Sequence, residues 1–377
     1  MEKIHPAEMP KLGFGLMRLP QKDGAIDMAR VTEMVDAYMA AGLNYFDTAY
    51  VYHGGTSEVA AREAVVKRYP RDSFYLATKL PAWCMKTAED RDRIFNEQCE
   101  RAGVDYFDYY LLHSLEDGSN YETYERLDCF RWGLQKKAEG KIRHFGFSFH
   151  GTPELLEQVL DLHPEMEFVQ IQLNYADWEN PVVRSGELYE ILKRRGIPMI
   201  IMEPVKGGNL ANLTPELEAK FRAARPDASA ASWALRFAAS LPCVMTVLSG
   251  MSNEEQMQDN LRTFTHFEPL TEEERGIIRE VTAIMLDTPL IGCTACRYCT
   301  DGCPMQIRIP DIFRAVNTMR LYHEDWRPRN FYGSVTRDGG KAGDCIGCGQ
   351  CEGVCPQHLP IISLLAEAAE VFDRQEA

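Results

Sequence analysis

From residue 12 to about residue 250, short apolar runs alternate with longer segments whose apolar positions recur every three or four residues. The first kind suits strands and the second amphipathic helices, so the chain reads as repeated strand–helix units. Strands are predicted at 12–19, 44–49, 74–79, 107–113, 144–149, 168–174, 198–203 and 244–249, with helices at 28–41, 58–69, 90–102, 122–140, 153–162, 183–195 and 228–240. Gly42, Gly103, Gly140 and Gly196 each follow a predicted helix, where a left-handed residue commonly ends the spiral. Met199-Ile200-Ile201-Met202 is apolar throughout, as in a strand covered on both faces. Eight strands in this alternation imply an α/β fold, a parallel (β/α)8 TIM barrel. A doubly wound sheet is disfavoured because no Gly-x-Gly-x-x-Gly turn joins the first strand to a helix. After the barrel, Thr271-Glu272-Glu273-Glu274 reads as a capped helix start, 309–324 as a helix, 327–340 as a turn-rich basic stretch and 359–372 as a short amphipathic helix. The expected domains are a barrel at 1–265, a linker with a helix at 266–290 and a small α-rich domain at 291–377.

Cysteine usage changes the picture of that last domain. Of twelve cysteines, eight fall in two copies of one spacing, Cys293-x-x-Cys296-x-x-Cys299-x-x-x-Cys303-Pro304 and Cys345-x-x-Cys348-x-x-Cys351-x-x-x-Cys355-Pro356. This is the bacterial ferredoxin run for 4Fe–4S clusters, in which the fourth cysteine ligates the other cluster. Three thiolates on a tight loop reach three corners of a cube, and the fourth iron needs a ligand from further away. One cluster is therefore expected on Cys293, Cys296, Cys299 and Cys355, and a second on Cys345, Cys348, Cys351 and Cys303. Zinc sites use paired Cys-x-x-Cys rather than triplets, and a disulfide lattice needs a secreted chain. Cys84, Cys99, Cys129 and Cys243 stand singly and read as packed, inert thiols. The chain opens with no signal-like segment and holds no apolar run of membrane-spanning length, so a reducing cytoplasm is the expected location. A net charge of −15 argues against nucleic acid or an anionic membrane as partner.

In such a barrel the chemistry lies at the C-terminal ends of the strands. Those ends read Asp47-Thr48-Ala49-Tyr50-Val51-Tyr52, Ala77-Thr78-Lys79 and Leu111-Leu112-His113. Singly, each polar residue has a structural explanation: a snorkelling Lys79, a capping Asp47, a satisfied core His113. Together, an Asp, a Tyr, a Lys and a His at three adjacent strand ends suit proton donation to a carbonyl oxygen during hydride transfer. A phenol is a poor acid at neutral pH, and a neighbouring ammonium is expected to lower its pKa. Asp47 would hold that ammonium charged, and His113 would orient the substrate oxygen.

On Tyr45-Phe46-Asp47-Thr48-Ala49-x-x-Tyr52, Thr78-Lys79, Leu111-Leu112-His113 and the opening Gly13-Phe14-Gly15-x-x-Arg18, the first 265 residues resemble the aldo/keto reductase family. With its C-terminal extension, the chain resembles the subgroup fused to a 4Fe–4S ferredoxin-like domain. The resemblance implies that Tyr52 is the general acid/base, supported by Asp47, Lys79 and His113. It also implies that Ser148 and Gln170 bind a nicotinamide carboxamide, and that Asn260, with Ser249, lies on the adenine side. Two departures follow. Met202 stands where an aromatic residue often stacks on the nicotinamide, and no Lys lies around Ser249-Gly250-Met251-Ser252 and Gln256 to meet a 2′-phosphate. NAD and NADP are thus both open, and a flavin is a minority alternative.

Hydride transfer moves two electrons together, whereas a 4Fe–4S centre passes one at a time. Three functions are therefore expected to compete. The first is an oxidoreductase that interconverts a carbonyl compound and an alcohol, its clusters stapling a small domain. The second is an enzyme linked to a ferredoxin or other electron-transfer partner, its clusters feeding the barrel through a flavin or a radical substrate. The third, a redox-sensing module without turnover, sits poorly with an intact tetrad. The loops at 81–89, 114–121 and 175–181 carry Trp83, Tyr121, Tyr175 and Trp178, which would wall a pocket for an apolar or sugar-like carbonyl compound.

Overall fold

The computed structural model describes residues 9–373, save 117–118, 181–182, 288, 323–325 and 338. Eight parallel strands close on themselves: β1 (Leu12–Gly15), β2 (Tyr45–Asp47), β3 (Tyr75–Pro81), β4 (Phe107–Leu115), β5 (Ile142–Phe149), β6 (Val169–Gln172), β7 (Met199–Met202) and β8 (Val244–Ser249). Each pairs with its sequence neighbours, and β8 closes the ring on β1 with Leu12 opposite Val247. The register sets Gly15 beside Asp47, Asp47 beside Ala77, and Pro81 beside His113, which carries the predicted polar residues to one end of the barrel. The interior is filled by large side chains, among them Tyr45, Tyr109, Phe168, Ile200 and Met245, all nearly inaccessible. This is a packed core, as inward-facing layers in such barrels require.

Several elements differ from the expected ones. β1 stops at Gly15 because Leu16–Arg18 tightens into a 3-10 turn. The helix expected at 58–69 is a short α-helix, Ser57–Ala61, continued by a π turn, Arg62–Val66. The helix expected at 122–140 is two helices, Ser119–Arg126 and Cys129–Ala138, separated where Asp128 is left-handed at φ 52°. A helix at Pro215–Ala224, capped by Thr214 and opened by its proline, was missed because its mixed composition shows no clear period. The stretch 327–340, expected to be turn-rich, is mostly the helix Trp326–Val335. Its Pro328 falls in the first turn, where no amide is lost, and Tyr332 stacks on Phe372 at 4.7 Å and donates to Asp373 at 2.6 Å. The four glycines predicted to end helices are all left-handed.

By its contacts the chain forms two compact units, Met1–Pro204 with Ser232–Thr271, and Val205–Ala231 with Glu272–Ala377. The first holds the barrel. In the second, helices Ile309–Tyr322, Trp326–Val335 and Ile361–Phe372 enclose a core of Ile312, Phe313, Val316, Val335 and Leu365. This unit is an internal repeat at a constant offset of 52 residues, from Cys293 to Cys345 and from Cys303 to Cys355. The repeat extends well beyond the cysteines. Left-handed Ala295, Arg297 and Gln306 correspond to left-handed Gly347, Gly349 and His358, and the short helix Tyr298–Asp301 corresponds to Gln350–Gly353. Glycine adopts this conformation freely, whereas Ala295 and Arg297 do so at a cost of about 1–2 kcal/mol each. Among the described residues, no helix is long and apolar enough to cross a membrane.

Candidate active site and cysteine cavities

At the mouth of the barrel Lys79, from β3, is fully buried, and its Nζ donates to Asp47 Oδ1 at 2.5 Å and to the Thr48 carbonyl at 2.7 Å. The same ammonium lies 4.8 Å from the centre of the Tyr52 ring. Tyr52 follows β2 and opens a 3-10 segment, Tyr52–Gly55, whose His53 and Gly54 are left-handed, so the chain turns sharply just beyond it. His113, near the end of β4, meets Tyr52 edge to face at 5.8 Å, and its Nδ1 has no hydrogen-bond partner. Tyr124 holds the floor of this site by donating to the Leu80 and His113 carbonyls, at 2.7 and 2.6 Å. The structure thus brings Asp47, Tyr52, Lys79 and His113 together.

The electrostatics differ from the sequence expectation in one respect. Burial foremost, then the Asp47 and Glu203 carboxylates, hold the Tyr52 hydroxyl well above the ordinary phenol range, and Arg18 opposes them. Lys79 does not pull the phenol down, because Asp47 lies against its ammonium and the cation faces the ring. Burial raises Asp47 and lowers Lys79, and their mutual attraction works against both shifts. His113 is pushed well below its usual value by burial, and further by Lys79 and His150, so its imidazole is neutral at pH 7.

The residues assigned to a dinucleotide fall into two pairs. Ser148 and Gln170 are register partners on β5 and β6; Ser148 Oγ accepts from the Ser114 amide at 2.8 Å, and the buried Gln170 Oε1 lacks a partner. Gln170 Nε2 lies 3.5 Å from Met202 Sδ. Asn260 donates to Ser249 Oγ at 2.7 Å. Near this second pair, Ser252 Oγ donates to the Arg18 carbonyl at 2.8 Å, and the Arg18 guanidinium lies 3.5 Å from Glu203. In the sequence Arg18 belongs only to the opening motif, and nothing there marks Glu203 as its partner. The left-handed backbone of Glu203, φ 54°, held by an Asn174 side chain donating to its carbonyl at 3.0 Å, has no sequence signal. Of the four aromatic residues expected to wall a pocket, Trp83 is half-exposed and lies 5.1 Å from the His113 ring. Tyr175 is buried against Phe237 and serves the core, whereas Trp178, partly buried on Tyr189 and Phe237, lines a surface cavity with Asn180, Arg184 and Glu187. Tyr121 is partly buried beside Glu125, which raises its hydroxyl together with burial. The loop stretches 117–118 and 181 lie outside the described residues.

In the second unit the cysteines gather around two cavities. One is lined by Cys293, Cys296, Cys299 and Cys355, the other by Cys345, Cys348, Cys351 and Cys303. Each cavity thus takes three thiols from one run and the fourth from the other, as the spacing implied. The Cys299 thiol is pushed up to about 12, by burial first and then by Cys296, Cys293 and Cys355. Four thiolates in so apolar a pocket would demand a cationic centre, which iron would supply. Backbone amides also turn toward sulfur, as from Ala295 to Cys293 Sγ at 3.4 Å. The segment Lys206–Ala211 clamps the first cavity: Asn209 donates to the Cys293 carbonyl at 3.1 Å, and left-handed Gly207 leaves no room for a methyl group, whose carbon would stand 2.3 Å from the Thr294 carbonyl oxygen. Gly207→Ala is accordingly expected to disturb any iron held at the Cys293 cavity while sparing iron at the other; an iron content and resonance spectrum unchanged from the parent would contradict this. Away from the cavities, burial raises the thiols of Cys84, Cys99 and Cys129, with Cys99 reaching about 11 and Cys129 about 12, so they are poor nucleophiles.

Residues 11–283 match the aldo/keto reductase family, close to three-quarters of the sequence. The chain belongs to that family. Residues 292–359 match the 4Fe-4S dicluster domain. Among curated relatives, L-galactose dehydrogenase from Arabidopsis thaliana is 27% identical over 294 residues, covering 73% of this chain and 90% of that one. An uncharacterized oxidoreductase, YqkF, from Bacillus subtilis is 25% identical, covering 71% and 90%. The holo form of aldo-keto reductase AKR11C1 from Bacillus halodurans superposes with a TM-score of 0.58 at 25% identity, over 72% of this chain and 91% of that one. An aldo/keto reductase from Klebsiella pneumoniae, solved with NADP and acetate, has a TM-score of 0.59 at 21% identity, over 73% and 92% of the chains, and shows the shared fold. The chain is therefore an oxidoreductase of aldo/keto reductase type, with a 4Fe–4S domain following its barrel.

Proposed function

We propose that the barrel interconverts a small carbonyl compound and its alcohol, with Tyr52 as general acid/base, and that the C-terminal unit holds two 4Fe–4S clusters with crossed ligation. The observation that carries the first part is the buried Asp47–Lys79 pair set against the Tyr52 ring, with neutral His113 beside it. In the reductive direction Tyr52 gives its proton to the carbonyl oxygen as hydride reaches the carbonyl carbon, and the product is an alcohol. The Lys79 ammonium, set against the ring, holds Tyr52 in position, Asp47 keeps Lys79 in place, and His113 orients the substrate oxygen. A bound nicotinamide would supply the hydride; Ser148 and Gln170 fit its carboxamide, because the buried Gln170 Oε1 needs a donor, and Ser249 and Asn260 fit the adenine side. NAD and NADP both suit this lining, and a flavin is the less favoured occupant. A cytoplasmic setting agrees with eight reduced thiols destined for iron. The test is oxidation of NADPH or NADH by the anaerobically purified full-length protein against a panel of aldehydes, ketones and sugars. Turnover with neither nucleotide would overturn the reading.

A second reading, in which the clusters exchange electrons with a ferredoxin-type carrier, is favoured by one observation. Cys348 is exposed, and Ile346 and Met305 beside it are 63% and 37% exposed, so one cluster would face outward among apolar side chains. Reduction of the clusters by a reduced ferredoxin, followed by absorbance, would support it, and no reduction by any such carrier would discard it. Crossed ligation makes a separate prediction. Cys303→Ala should damage the cluster on Cys345, Cys348 and Cys351 and leave that on Cys293, Cys296 and Cys299 largely intact, as read by resonance spectra of the reduced protein. Selective loss of the latter cluster would mean that each run closes on itself.

A further inference from the structure

One fully buried carboxylate takes no part in the chemistry above. Glu58, on the helix Ser57–Ala61, is packed against β3 at Thr78. Its Oε1 accepts from Thr78 Oγ1 at 2.7 Å and from Gln98 Nε2 at 3.1 Å. Gln98 Nε2 also reaches the carbonyl of Lys79, at 2.9 Å, and Gln98 Oε1 accepts from Tyr110 at 2.6 Å. Glu58 is therefore tied to Thr78 directly and to Lys79 through Gln98, two neighbouring residues of β3. These hydrogen bonds need only an acceptor at Oε1, which a glutamine would supply. The negative charge, held out of water at a desolvation cost, has no use in the network itself.

One cation lies against it: Arg101 Nη1, on the helix Glu89–Ala102, is 3.6 Å from Glu58 Oε2, with its side chain partly exposed. A second, the buried Lys79 ammonium, belongs to the residue whose carbonyl Gln98 joins to the same carboxylate. We propose that Glu58 is a second counter-ion of Lys79 and a positioning residue for the reaction, keeping the buried ammonium charged where Asp47 alone does not offset its burial. This rests on the assignment of Lys79 to the tetrad. The ionisable groups around Lys79 are Asp47, Tyr52, His113 and Glu58; around Glu58 they are Arg101, Cys99 and Tyr110. Burial acts against the ammonium, and Asp47 first and then Glu58 act for it. Glu58 is itself lifted by burial, against Thr78, Gln98 and Arg101.

The test separates charge from shape. Glu58→Gln keeps the acceptor and removes the charge, so the alkaline limb of the kcat profile for carbonyl reduction should move down by about half a pH unit or more, while KM for the nucleotide and the melting temperature stay near the parent. Glu58→Asp keeps the charge and should restore the limb toward its parental position. Arg101→Gln removes the opposing cation and should move the limb the other way, to higher pH. A limb unmoved in Glu58→Gln, or moved in the same direction by Glu58→Gln and Arg101→Gln, would overturn the proposal and leave Glu58 a structural acceptor or the private partner of Arg101. A Tyr52→Phe variant that still turns over would instead overturn the tetrad on which the proposal rests, so the two failures are distinct.

Discussion

Tyr52→Phe should fold and bind nucleotide as the parent does, while carbonyl reduction falls by about 10²-fold or more, the scale of general acid catalysis. Only the hydroxyl is lost; the ring keeps its edge-to-face contact with His113 and its place over Lys79. Stopped-flow reduction measured beside nucleotide titration separates the two effects, and activity within a factor of two of the parent would remove Tyr52 from the mechanism. The pH dependence carries a sign as well. Burial and two carboxylates keep the phenol protonated through the neutral range. Reduction consumes that proton, so its rate should be flat across neutral pH. Alcohol oxidation begins from the phenolate, so its rate should climb with pH and reach no plateau below about pH 10. An oxidation profile that levels near neutrality would mean that the phenol is not the titrating base.

Lys79→Met should be the most damaging single change to stability at the mouth. It leaves Asp47 buried with no cation, and Asp47 Oδ2 already lacks a hydrogen-bond partner. Breaking a buried pair from one side costs about 3–5 kcal/mol, which denaturant titration resolves easily. Asp47→Asn combined with Lys79→Met removes both charges and should recover much of that loss without recovering activity. If the single variant is no less stable than the double, the pair does not behave as an uncompensated buried charge would require. The contrast matters because it distinguishes a pair kept for chemistry from one kept for the fold.

The period of the apolar residues was enough to predict a parallel barrel, because a strand covered on both faces and a helix covered on one leave different spacings in the chain. The cysteine runs were equally legible, down to the gathering of Cys355 with the first three thiols and of Cys303 with the second three, since three near neighbours on a loop leave room for a fourth from further away. The identity of the mouth residues was legible too, because the end of a barrel strand is a fixed address in the sequence.

The tertiary structure decided what depends on distance between residues far apart in the chain. That Lys79 faces the ring of Tyr52 and is neutralised by Asp47, rather than lowering the phenol, follows from packing at the mouth. That Trp83 adjoins His113 while Tyr175 serves the core follows from loop paths with no period to read. The strained Glu203, the Gly207 clamp on Thr294 and the buried Glu58 bonded to Thr78 were silent for the same reason: a lone Glu or Gly has many uses, and only its neighbours select one. Local pattern specifies which elements form and where their ends lie; burial and the field of remote charges specify what those ends can do.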